Sequence, residues 1–120
     1  MNSMCTIKST FIYVVLILVG TNSLAGSSKF FYTGTKLYNM CRADTPIDEA
    51  LCEGYILGVQ DSIYSGHLSE HFNLCLSEGV EPDQLRLQLI RFIENNPNIM
   101  NFAAEGLVAK SLETSYACKN

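Results

Sequence analysis

Four cysteines constrain this 120-residue chain more than any other feature. Cys41, Cys52, Cys75 and Cys118 are widely spaced and form no C-x-x-C pair, which argues against a zinc knuckle or a thioredoxin-like redox site. A fifth cysteine, Cys5, stands in a leader-like segment. That segment carries one charge, Lys8, and then the apolar run FIYVVLILVG over residues 11–20. The run is too short for a membrane span, which needs roughly 20 residues, and matches the hydrophobic region of a signal peptide. Ser23 and Ala25 are the small residues before the expected cut. Residues 1–25 are therefore read as a cleaved signal peptide and residues 26–120 as one domain. Four cysteines in an exported chain imply two disulfides. A domain of this size buries only about 60–65% of its unfolded surface, so staples supply stability that its core lacks.

Twelve Asp and Glu face eight Lys and Arg, a net charge of −4, one unit more negative once Lys8 is removed. An acidic export has no evident affinity for nucleic acid or for anionic lipid heads. No membrane association is expected after cleavage.

Helical periodicity fills the rest. TGTKLYNMCR reads as a short helix capped by a threonine. Thr45 then caps a second helix running from Pro46 to about Tyr64, with Pro46 at its first position and Asp48 facing its positive end. Cys52, Tyr55, Ile56, Val59 and Ile63 form one face of it. Gly54 and Gly58, four apart, suggest that another backbone packs close. A third helix opens at VEPDQ, with Leu85, Leu89, Phe92 and Ile93 as its stripe. Asn96 and Pro97 end it and can cap a last helix carrying Met100, Ala104, Leu107, Val108, Ser111 and Leu112. No segment alternates with period two. The fold class is all-α, a small disulfide-stapled bundle of about four helices.

This layout selects among the three possible pairings. The first helix ends where the second begins, which brings Cys41 to Cys52. The connection after the second helix and the end of the fourth meet at the opposite end, which brings Cys75 to Cys118. One staple is expected at each end.

GHLSEHFNLC, residues 66–75, contains His67, Glu70 and His71 in the order H-x-x-E-H of inverted zinc proteases. That chemistry needs both histidines on one face of a stable helix and a third ligand downstream. Here a glycine precedes the motif, a disulfide cysteine follows it, and the chain has two histidines in all. A solvated turn is the better reading. With every mature cysteine bridged, no G-x-S-x-G and no phosphate-cradling glycine loop, the sequence offers no catalytic residue, no metal site and no cofactor.

FYTGTKLYNMC, then CEGYILGVQD, then a cysteine before GVEPDQL, then NNP, then AAEGLVAKSLETSYAC together resemble the Rap/Tai-type immunity family. The resemblance spans Phe30 to Cys118. It implies a non-enzymatic, helical, disulfide-bonded periplasmic protein. Such a protein binds a peptidoglycan amidase effector of a type VI secretion system and occludes its active site, in some members as a homodimer. It also places residues 67–72 in the variable connection between helices two and three. Tyr64, His67, Glu70, His71 and Phe72 are accordingly the candidate partner-binding residues, of the aromatic and amphipathic kinds that interfaces favour. A periplasmic acid-stress chaperone, or another envelope binding protein, shares the size and compartment and stands as the alternative.

Overall fold

The structure is a computed structural model that describes residues 30–68 and 70–119. The expected signal peptide lies outside these residues.

Four helices form the molecule: α1 Gly34–Arg42, α2 Pro46–Tyr64, α3 Pro82–Asn95 and α4 Ala104–Tyr116. A 3-10 turn, Pro97–Ile99, separates α3 from α4. No strand occurs among the described residues; Thr33 with Ala103 and Leu74 with Ala117 make isolated bridges. Every pair of the four helices is in contact. The expected all-α stapled bundle is the observed architecture.

Local chemistry sets the helix starts. The Thr33 hydroxyl accepts from the Lys36 N–H at 3.2 Å, and the Thr45 hydroxyl accepts from the Asp48 N–H at 3.1 Å. Each satisfies an amide that a helix start leaves without a partner. At α3 the Gln84 side chain accepts from the Glu81 N–H, and Asp83 adds a carboxylate to the first turn. Leu37, Ile56, Leu85, Leu89, Ile93, Val108 and Leu112 are then buried together at the centre. Arg86 crosses between helices. It donates to the Cys41 carbonyl at 3.2 Å and pairs with Glu49 and Glu53 at 3.3 and 3.2 Å.

Both disulfides join the expected partners. Cys41–Cys52 ties the end of α1 to the start of α2, with Cα atoms 5.0 Å apart. Cys75–Cys118 ties the connection after α2 to the residues after α4, with Cα atoms 4.8 Å apart. The first is completely buried. In the second, Cys75 is exposed and Cys118 half-buried.

Two expectations fail in detail. Met100 lies before the last helix, not in it, because residues 100–104 serve α1. The Gly34 N–H donates to the Phe102 carbonyl, the Thr35 N–H to the Met100 carbonyl, and the Ala104 N–H to the Tyr32 carbonyl. Those long-range bonds replace helical ones. Nor does any backbone pack on Gly54 or Gly58, where an added Cβ would meet nothing within 4 Å. The glycine of close approach is Gly34, whose Cβ would collide with Leu107 and lie 2.9 Å from the Met100 oxygen.

Candidate functional site: the α2–α3 connection

The connection begins with a glycine-reversed helix end. The Ser65 N–H donates to the Asp61 carbonyl, and Gly66 turns the chain with φ 93°. His67 and Leu68 N–H groups both donate to the Ser62 carbonyl, at 3.1 and 3.2 Å. This satisfies carbonyls that a helix end leaves open, and the positive φ is available to glycine without steric cost. Leu68 then folds back onto the core, and the His71 N–H closes a turn onto the Leu68 carbonyl.

The second half of the connection is stitched down. The Asn73 N–H donates to Glu113 Oε1 at 3.3 Å, and the Cys75 N–H donates to the Tyr116 carbonyl at 2.8 Å. The Leu76 N–H donates to the Tyr64 hydroxyl at 2.7 Å. Leu74 is buried beside Ala117. Glu113 also accepts from Lys110 at 2.7 Å. That bond, and then the Asn73 amide, stabilise its ionised form and hold its carboxyl below the usual range.

The five candidate residues divide accordingly. His67, Glu70 and His71 are exposed on the first half of the connection. Tyr64 is 53% exposed, and its hydroxyl struts the descending chain. Phe72 is half-buried and packs against the core. Tyr64 closes α2 and the other four follow it in the connection that leads to the Cys75–Cys118 staple. The H-x-x-E-H order is not on a helix, since α2 ends at Tyr64 and the motif begins three residues later. Among the described residues no three His, Cys, Asp or Glu side chains converge as metal ligands. No helix among them is long and apolar enough to cross a membrane.

A second exposed feature escaped the sequence reading. The outward face of α2 carries Ile47, 73% exposed, and Leu51, 54% exposed. They lie at i and i+4, and Gly54 and Gly58 continue the line at i+7 and i+11. The signal was visible in two apolar residues outside the core stripe of that helix.

No curated protein and no solved structure is significantly similar to the chain. A family model does match it, that of the Rap1a immunity proteins, over residues 33–118. The matched span takes in all four helices and both staples. The chain belongs to the Rap1a immunity protein family.

Proposed function

We propose that this protein is a periplasmic immunity protein that binds a peptidoglycan amidase effector of a type VI secretion system and blocks its active site. The family match over residues 33–118 carries the reading, because an immunity protein acts by binding a protein effector. Two disulfides in so small a domain support an oxidising compartment. So does the leader over residues 1–25, read as a cleaved export signal.

The effector-contacting surface is the first half of the α2–α3 connection, with His67, Glu70 and His71 presented outward and Tyr64 and Phe72 supporting them. A loop held by a rigid scaffold presents recognition groups in a fixed arrangement. Blocking an enzyme by such a surface needs no chemistry of its own, only complementary shape and a buried anchor.

The test looks for an exported amidase gene beside this one, mixes the oxidised protein with its product, and measures both complex formation and peptidoglycan cleavage. The expected result is a stable complex with cleavage suppressed. His67→Ala and His71→Ala should weaken the complex while leaving the melting temperature unchanged. An amidase that neither binds nor loses activity would refute the assignment. Peptide hydrolysis that needs stoichiometric zinc and disappears in Glu70→Gln would overturn the non-enzymatic reading altogether.

A further inference from the structure

A groove of about 380 Å³ runs between the second half of α2 and the start of α4. Gly54, Gly58 and Ser62 line it along α2, each one turn after the last, and Tyr55, Leu68 and Glu105 close its sides. The missing side chains make the recess, because a Cβ added at either glycine would meet nothing within 4 Å. The Ser62 hydroxyl spends its proton on the Gly58 carbonyl, at 2.9 Å.

Glu105 brings the one formal charge of that lining. It stands exposed in the first turn of α4. The ion pairs among the described residues join Arg42 to Glu94, Arg86 to Glu49 and Glu53, and Lys110 to Glu113, so none of them takes up Glu105. Burial first, and the Glu105 carboxylate second, hold the Tyr55 hydroxyl above its ordinary value. Tyr55 therefore stays neutral and leaves the groove its single negative charge. The neighbouring aromatic ring already holds an ammonium: Lys36 Nζ lies 4.4 Å from the centre of the Tyr32 ring, which packs 5.3 Å from that of Tyr55.

A slot with apolar length and a carboxylate at its side matches an aliphatic stem that ends in a cation. Lysine carries its ammonium on four methylenes and buries that stem along apolar surface while the head stays polar. Gly54 to Gly58 offers about 6 Å of helix for the stem. A net charge of −4 draws basic surfaces toward the chain. The family supplies the carrier of such a side chain, since an immunity protein binds a protein effector. Leu68 joins the groove to the α2–α3 connection directly after His67. We propose that the Gly54–Gly58 groove is a subsite for a lysine side chain of the effector, with the stem laid over the two glycines and the ammonium paired to Glu105. The proposal rests on the family's binding of a protein effector, and not on that effector being an amidase.

Two probes that differ only in the cation test the site: Nα-acetyl-lysine N-methylamide and its norleucine counterpart, each titrated into the oxidised, 15N-labelled protein. The lysine probe should shift the amides of Gly54, Gly58, Ser62 and Glu105 in a saturable way at millimolar concentrations. The norleucine probe should bind at least fivefold more weakly. Glu105→Gln should weaken the lysine probe at least fivefold, and Gly58→Leu, which fills the groove, should abolish its shifts. Melting temperatures and disulfide maps should stay those of the wild type, since Glu105 is exposed and Gly58 has open space around it. If Gly58→Leu misfolds, Glu105→Gln decides the matter alone. In the effector complex, Glu105→Gln should raise the dissociation constant at least fivefold. Equal affinity for the two probes would overturn the proposal, as would lysine shifts that survive Glu105→Gln or an effector complex indifferent to it. An amidase that does not bind at all refutes the proposed function, while the probe titration still decides this subsite.

Discussion

A side chain at Gly34 would have to displace Leu107 or the backbone at Met100, whereas the same addition at Gly54 or Gly58 meets open space. Gly34→Ala should therefore destabilise the fold by about 1–3 kcal/mol, the range for overpacking a close contact. Gly54→Ala should be neutral or favourable. Chemical denaturation of the two variants in parallel checks the contrast, and equal midpoints would contradict it. Ser111 raises the opposite question. Its hydroxyl is buried in α4 and has no hydrogen-bond partner. An unsatisfied buried hydroxyl is a penalty the fold carries, so Ser111→Ala should gain on the order of 1 kcal/mol. A loss of stability in that variant would mean the hydroxyl is bonded after all. At Phe72, half-buried against the core, truncation to Ala should lower stability by about 2 kcal/mol, below the 3–5 kcal/mol of full burial. A thermal melt run beside the effector-binding measurement separates that packing loss from a loss of contact.

At the scale of elements, α2 was legible because its signals are local. Thr45, Pro46 and Asp48 stand in sequence where a helix start needs them, and Gly66 follows the last helical turn. Thr45→Ala should cost about 1 kcal/mol, read as a shift in the denaturation midpoint. The start of α4 was not legible, because its limits are set by amide and carbonyl partners near residue 33. Periodicity continues through Met100, but the backbone there is engaged elsewhere. The candidate site was partly legible for the same reason. Sequence showed that the connection is amphipathic and closed by a cysteine; it did not show that Glu113, forty residues on, anchors it through Asn73. That anchor gives the connection a pH dependence. Because the Glu113 carboxyl is lowered in the folded protein, its contribution is complete above the ordinary glutamate value of about 4.3. It is lost as the pH falls through the lowered value. The protection factor of the Asn73 amide, corrected for the intrinsic pH dependence of exchange, should fall as the pH drops through the lowered Glu113 value, and Glu113→Ala should show low protection already at neutral pH. Unchanged protection in that variant would assign the anchoring to the disulfide alone.

For the molecule as a whole, the staples divide the work. They close sequence separations of 11 and 43 residues, which the chain-entropy model values at about 3 and 4 kcal/mol. Replacing Cys75 and Cys118 together with Ser should release the α2–α3 connection while leaving the core helices paired. Replacing Cys41 and Cys52 should do more damage than the entropy alone, since both are completely buried where Arg86 joins α1, α2 and α3. Amide exchange mapped over both double variants checks the difference in extent. The unequal exposure of the two bridges also fixes an order in time. A thiolate in solution must reach a sulfur before it can exchange with it, and it finds Cys75 at the surface while the Cys41–Cys52 bond is shielded until the helices separate. Under a slow dose of dithiothreitol the protein should pass through a long-lived species with one bridge opened, its α2–α3 connection slack and its helical body intact. Loosening of that connection would then precede unfolding, and reoxidation would need only one pair of thiols to find each other.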